Sequence, residues 1–536
     1  MSSNAGANEE DFLYDCIVVG SGHAGSCAAL SAVEHGCRPE RVLIIEKAPE
    51  EWVGGNGYFT AGAHRTVHSG LSDILPLVTN VPPSLSTKID MEPYTSQAFL
   101  SDILRMSSNR SSLPLINTVV SQSRDAIDWL AKFVGVPFTL SFNRQAYEVE
   151  GRMKFWGGMV LSVEDGGKGM IAADGKALRK FGVRTRFETK AVELVVEDGG
   201  DGKEKGVKGL VVESNGKREV LKSKAVVLAA GGYEASKEKR KKYLGEAWQN
   251  ARVRGTPYNT GDCIDMAVTV GAKLSGDWEG CHSTCWDANA DPDTGSRLLS
   301  NQYTKSGYPL GLMLNSRGLR FVDEGYDFRN FTYAMFGRKI LEQPGGVAWQ
   351  IYDQKVVKWL RQEEYGDNVV KKIWGDTLED LVAKLADDGL EDDEQFKRTI
   401  AEYNEAVQRF GRELKKEGKE VKWDPAVKDG LGTEGLELSK SNWALTVNEG
   451  PFLAVKVSCG VTFTFGGLEI DPKTAGVVRA DAGDSGKKTI EGLFCTGEMV
   501  GALWYGNYPG GSGLTAAAVF GRIAGRQVAK LVSEST

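Results

Sequence analysis

The stretch Asp15-Cys16-Ile17-Val18-Val19-Gly20-Ser21-Gly22-His23-Ala24-Gly25 decides the fold. A short β-branched run ends at Gly20, and an Ala-rich stretch of helical composition follows over 23–36. A second apolar run at 41–46, Arg-Val-Leu-Ile-Ile-Glu, completes a strand–helix–strand unit of the kind that binds nucleotides. The pattern G-x-G-x-x-G is weak alone. Here it follows a strand, opens a helix, and precedes Glu46 by 21 residues, which is the context a dinucleotide site requires. Gly20 permits the tight turn, Gly22 leaves the pyrophosphate unobstructed, and Gly25 lets helix and strand approach. The backbone at His23 and Ala24 offers N–H groups and a partial positive charge to phosphates. Glu46, with Lys47 beside it, can accept hydrogen bonds from the adenosine ribose, and an acid there disfavours a 2′-phosphate.

Three distant clusters turn the cofactor from NAD to FAD. Gly54-Gly55-Asn56-Gly57 lies just after Glu46, where a second bare stretch of backbone would meet the pyrophosphate and flavin. The run Lys224 to Gly232 is a strand ending at Ala230 and Gly231, and Gly492 to Glu498 is another ending at Gly497 and Glu498. Pro509-Gly510-Gly511-Ser512-Gly513-Leu514 then opens a final Ala-rich helix over 513–533. A long cofactor needs contacts far apart in sequence, whereas an NAD site is one compact local unit.

Composition narrows the rest. The chain has 536 residues, enough for more than one domain. Its net charge of −7 argues against nucleic acid as a partner. Sixty-five glycines cluster between apolar runs rather than in a linker pattern. The eight cysteines are spread as reduced thiols would be. The polar first dozen residues give no signal-peptide pattern and no span for membrane insertion, so a cytoplasmic location is expected. Strand patterns fill 182–230, with a hairpin turn at Ser214-Asn215-Gly216-Lys217 and a solvated loop at 198–206. From 279 to 458 aromatic loops and then charged helices (375–417) replace the Gly-rich strands; strands return at 460–475 and 490–497. The expected organisation is therefore 1–278 and 459–536 as a cofactor domain, with 279–458 as an inserted second domain.

At these clusters the chain resembles the FAD-binding family of fumarate reductase and succinate dehydrogenase flavoproteins, with motifs in family order over nearly its whole length. Within that family it is most similar to tricarballylate dehydrogenase-type flavoproteins, through Asp327 to Tyr333, Gly460 to Gly467, and Asn507 to Gly511. The resemblance implies an α/β fold: a Rossmann-like FAD-binding domain interrupted by an α+β capping domain, with the substrate between them. It implies dehydrogenation of a CH–CH bond of a small-molecule substrate, or C=C reduction in reverse, by hydride exchange with the flavin, with an external acceptor or partner reoxidising the flavin. A family histidine that bonds FAD covalently would fall at Asn56, which cannot make that bond, so non-covalent FAD is expected; His64 and His68 are the nearest imidazoles.

Of five histidines, only His282 lies beyond residue 68; it matches the family segment whose His binds a substrate carboxylate. Arg329 matches the arginine that passes a proton to or from substrate carbon. With a pKa above roughly 12 a guanidinium needs neighbours to carry the proton onward, or it serves only as an electrostatic clamp. Two family positions differ: Phe463 stands for a His and Tyr508 for an Arg. The loss of those donors makes fumarate or succinate a poor substrate, and leaves Tyr508 as substrate contact, base or ring packing. Glu498 matches an acid that holds the ribityl chain. A helix N-terminus at Gly513 would stabilise negative charge on a reduced flavin. The alternatives are a flavin oxidase or desaturase of a larger natural product, with the ketosteroid dehydrogenases as its relatives, and a flavin-bound isomerase without net redox.

Overall fold

The computed structural model describes residues 13–197, 206–425, 427–481 and 488–534. All but Gly206 of the loop expected at 198–206 lies outside these residues. The chain divides into two compact units: Met1–Leu244, Gly255–Cys281 and Phe463–Thr536 form one, and Gly245–Arg254 with His282–Thr462 the other.

The first unit is built on a six-stranded sheet. Its order is Gly476–Val478, Thr489–Cys495, Val226–Leu228, Cys16–Val19, Val42–Ile45 and Arg184–Arg186. Every pair is parallel except Gly476–Val478 against Thr489–Cys495. The runs Cys-Ile-Val-Val and Val-Leu-Ile-Ile are buried at every position, as a parallel strand covered on both faces must be. Helix His23–Glu34 lies against helix Ser512–Glu534 through small residues: a Cβ on Gly521 would come within 2.8 Å of the Cys27 Cβ, and one on Gly525 within 2.5 Å of the Ala28 carbonyl. Larger side chains there would push the axes apart. The expected hairpin is present, Ser214 facing Lys217 across Asn215 and Gly216. Both turn residues have positive φ, 50° and 71°, the requirement of a two-residue turn whose twist matches the strands.

Strands Arg252–Val253, Phe452–Leu468, Ala348–Tyr352 and Leu312–Leu314 lie side by side in a second sheet, and Ile373–Gly375 also pairs with Phe452–Leu468. Helices Leu378–Asp387 and Asp393–Lys416 cover it, burying Leu381, Leu385, Phe396 and Ile400 against Trp349 and Ile351. The long strand differs from the sequence reading: it runs over Phe452–Leu468 rather than from 460 to 475. It stops where Asp471 turns the chain, its carboxylate accepting from the backbone N–H of Lys473 and Thr474, a local bond that competes with a ladder. Among the described residues no helix is long and apolar enough to cross a membrane.

Candidate active site

The carboxyl ends of four parallel strands come level in the first unit. Val19 lies opposite Ile45 on one side and Leu228 on the other, and Leu228 opposite Cys495. Gly20, Glu46, Ala230 with Gly231, and Gly497 with Glu498 therefore emerge along one edge, the place where open α/β sheets bind ligands.

Gly20 has φ +109°, and a Cβ there would sit 2.4 Å from the Ala229 carbonyl oxygen. A Cβ on Gly25 would sit 2.0 Å from the Gly20 carbonyl oxygen. Both positions are closed to any side chain by the protein's own backbone. Gly22 is different. Its φ is −72°, which any residue tolerates, and an added Cβ would meet nothing nearer than the Gly54 carbonyl oxygen at 3.6 Å. A Cβ on Gly55 would meet only the Gly22 Cα, at 3.9 Å. Gly22 and Gly55 are thus two bare walls of a cradle at the start of helix His23–Glu34. No side chain caps that helix and no acid occupies its first turn, so its orphan N–H groups are left for an anion. These residues fit the pyrophosphate of FAD.

Glu46 accepts from the Ser21 backbone N–H at 2.9 Å and the Ser21 hydroxyl at 2.8 Å, and from the Ala48 N–H at 2.9 Å. The bonds fix the carboxylate at the strand end with acceptor capacity to spare. Lys47 turns away to Thr260 and Asp262, both at 2.7 Å. Gly54 and Gly57 pack on Ile171 and Met170. Asn56 donates to Glu234 at 2.5 Å and accepts from the Thr256 N–H at 3.0 Å. Gly231 lies against Asn259, and the Ala230 N–H points to the Met499 sulfur at 3.3 Å. Gly497 packs over Ala24, and Leu514 lies half-buried in the first turn of the last helix.

The His23 side chain does not serve the phosphate position. It is buried, and Nδ1 lies 2.8 Å from the Asp174 carboxylate. Burial pushes the imidazole down, but Cys27 and Asp174 hold it well above its ordinary range. One proton therefore stays between ring and carboxylate. Truncating one member leaves the other buried without its charge partner, which costs about 3–5 kcal/mol. Asp174→Ala should lower stability by that amount in urea unfolding, while the double variant His23→Leu/Asp174→Leu should recover most of it.

His64 and His68 are both buried. His64 Nδ1 lies 3.0 Å from the Gly62 carbonyl, and His68 accepts from the Gly70 N–H at 3.2 Å. Burial is the main reason both stay neutral, at about 3 and about 4. Between them Arg65, which nothing in the sequence marked, is fully buried. It donates to the Gly510 carbonyl at 2.9 Å, to Tyr94 at 2.8 Å and to Asp102 at 3.2 Å. Arg65 so holds the turn that opens helix Ser512–Glu534.

Tyr508 is half-buried in an aromatic group with Phe463, Phe465 and Trp504, at ring separations of 5.5, 6.1 and 5.5 Å. Gly513 adjoins it: a Cβ there would lie 3.6 Å from the Tyr508 ring and 4.0 Å from Phe463.

In the second unit His282 is buried on strand Leu274–Asp287. Its Nε2 lies 3.5 Å from the Arg254 guanidinium, and its ring meets Tyr333 edge-on at 6.0 Å. Burial, and then Arg254, push it down to about 3, so it is a neutral imidazole. Arg254 also donates to Asn301 and lies 5.5 Å over the Trp286 ring. No local pattern signals Arg254; only the pairing of Arg252–Val253 with Gly460–Val461 brings it to His282. Arg329 is the first residue of helix Arg329–Leu341 and is half-buried, its carbonyl accepting from Tyr308 and Thr332. All eight cysteines are buried, and no disulfide joins any of them.

A family described as the FAD binding domain matches residues 80–514. The match begins after the Gly20–Gly25 turn, but relatives extend across it. A probable fumarate reductase, Ifc3, of Shewanella frigidimarina is 28% identical over 96% of this chain and 74% of its own length. A urocanate reductase of Eggerthella lenta is 28% identical over 96% of this chain and 75% of its own. Among solved structures, the open conformation of a flavocytochrome c3 fumarate reductase superposes with a TM-score of 0.69 at 26% identity, over 97% of this chain and 79% of that one. The chain belongs to the FAD-binding family of fumarate reductase and succinate dehydrogenase flavoproteins. It is an FAD-dependent oxidoreductase of that family.

Proposed function

We propose that the protein removes hydrogen from a CH–CH bond of a small organic acid, or adds it to the corresponding C=C bond. The observation that carries this reading is Arg329 at the start of its helix, in the segment Asp327 to Tyr333, together with relatives that are reductases by name. When bound, FAD exchanges a hydride with one substrate carbon. Arg329 handles the proton at the neighbouring carbon and stabilises the charge that builds there. His282, neutral and beside Arg254, receives an acidic group of the substrate. FAD is held without a covalent bond: Asn56 is engaged with Glu234 and Thr256, and His64 and His68 are buried with backbone partners. Eight buried cysteines with no disulfide among them support a reducing compartment such as the cytoplasm. An external acceptor takes the electrons.

Phe463 and Tyr508 set the substrate apart from fumarate. They offer aromatic surface where two cationic groups would be needed for a second carboxylate, so a tricarballylate-like acid is supported only by the resemblance at Asp327 to Tyr333, Gly460 to Gly467 and Asn507 to Gly511 and needs its further carboxylates met by other donors. Tyr508→Phe keeps the ring packing and removes only the hydroxyl. It should lower kcat/KM by about tenfold if the phenol holds substrate, and by about 10²–10⁴ if it moves a proton. We expect the smaller loss, with kcat nearly unchanged. The aromatic group also favours a second reading, a dehydrogenase of bulkier ring ketones. Comparing kcat/KM for tricarboxylates with that for bulky enones separates the two; a preference for the enones overturns the small-acid reading.

A further inference from the structure

Glu234 and Glu498 come together behind the strand edge that receives FAD. Glu234 is fully buried and Glu498 half-buried. Glu234 accepts from Asn56 at 2.5 Å and Asn259 at 2.7 Å through one oxygen, and its other oxygen meets no ordinary donor. Glu498 accepts from the Thr464 N–H at 2.8 Å and hydroxyl at 3.1 Å, also through one oxygen. The two carboxyls approach each other closely. Between them stands Gly232, where an added Cβ would lie 2.1 Å from the Glu498 oxygen and 2.8 Å from the unpartnered Glu234 oxygen. This second glycine of the pair is therefore required by the carboxyls.

Two carboxylates in contact inside a protein cannot both stay ionised. A hydrogen bond between them needs one proton, because a carboxylate has only acceptors. Tyr233 donates its phenol to the Trp278 carbonyl at 3.0 Å, and Arg240 donates to the backbone carbonyl of Glu234. Burial, and then the neighbouring Glu234, push Glu498 well above the ordinary carboxyl range; burial also raises Glu234.

We propose that Glu234 and Glu498 share a single proton, and that this proton is part of the FAD site: it neutralises Glu498 at the strand edge that receives FAD. Seating FAD removes the water that still reaches Glu498 and brings two phosphate charges to the same edge. Both effects oppose a doubly ionised pair, so FAD binds with the proton in place. Glu234 is a positioning residue, acting through Glu498 and Asn56. The inference rests on FAD lying at this edge and is independent of which bond the enzyme oxidises.

The sign follows from linkage. A carboxyl whose folded value is raised favours the bound state while it keeps its proton and ceases to as pH rises through that value. FAD dissociation from the holoenzyme, followed by FAD fluorescence, should rise about tenfold per pH unit above the pair's midpoint. Glu234→Gln keeps the size and supplies an N–H to Glu498 without a titrating proton, so its alkaline limb should disappear. In the wild-type holoenzyme, infrared difference spectra across the same pH range should show a protonated-carboxyl C=O band that fades with the limb. That band should be missing in Glu234→Gln. An alkaline limb unchanged in Glu234→Gln, or a wild-type holoenzyme without the carboxyl band, overturns the proposal. The infrared test needs no variant, so it stands even if Glu234→Gln fails to fold. Failure to bind FAD at any pH in the wild type would instead sink the cofactor assignment.

Discussion

Gly22→Val is expected to fold and to purify without FAD. The native φ of −72° suits a β-branched residue, and the nearest protein atom to the new Cβ is the Gly54 carbonyl oxygen at 3.6 Å. The apoprotein should therefore keep its stability to within about 1 kcal/mol. The valine methyls would fill the gap between Gly22 and Gly55, where the pyrophosphate must approach the helix N-terminus. A loss of at least about 100-fold in FAD affinity follows, equivalent to roughly 2.7 kcal/mol. Gly25→Val makes the contrast. Its Cβ would fall 2.0 Å from the Gly20 carbonyl, so strand and helix must separate, at a cost above about 4–5 kcal/mol. That variant should fail to fold with or without FAD. Fluorescence titration of FAD into each protein, beside thermal melts of the apo forms, reads both effects. If Gly22→Val bound FAD like the wild type, the cradle would be elsewhere.

The second large effect is expected at Arg329. Arg329→Met removes charge and donors but keeps an unbranched stem in the first turn of helix Arg329–Leu341. FAD content and melting temperature should stay near the wild type, while kcat/KM should fall about 10²–10⁴-fold, the range of a lost proton-transfer group. Arg329→Lys separates the two roles open to a guanidinium. A clamp that only supplies charge would be served in part by an ammonium, whereas transfer through a fixed fork of N–H groups would not. We expect the lysine variant to remain crippled and added guanidine to restore part of the activity of Arg329→Met. Equal activity of wild type and Arg329→Met would remove Arg329 from the chemistry.

The cofactor half of the fold was legible because its constraints are local. Strand, turn, helix and the next strand are consecutive, so the glycine spacing and Glu46 carry the geometry. The hairpin at Asn215-Gly216 was legible for the same reason. What escaped are pairings made by residues far apart in the chain. Asp174 meets His23 across 151 positions, so the His23 ring, adjacent to the phosphate position in sequence, is committed elsewhere. Arg65 reaches Gly510 across 445 positions, and Arg254 meets His282 only because a two-residue strand lies beside Gly460–Val461. Glu234 follows a Gly-Gly-Tyr turn that could have been any strand exit; its meaning depends on Glu498 arriving from the other end of the chain. Glu498 itself was singled out, but its bonds to Thr464 and its contact with a second acid were invisible in its own segment.

The proposed chemistry on a CH–CH bond is open to direct test. The direct measurement is an anaerobic titration of the holoenzyme with saturated polycarboxylates and saturated ring ketones, followed by the visible absorbance of bound FAD. It is repeated in reverse on dithionite-reduced enzyme with the unsaturated counterparts. At least one saturated compound should bleach the absorbance, its unsaturated partner should restore it, and Arg329→Met should do both at least about a hundredfold more slowly. Absorbance that moves in neither direction with any pair, in a protein that retains FAD, would contradict the account.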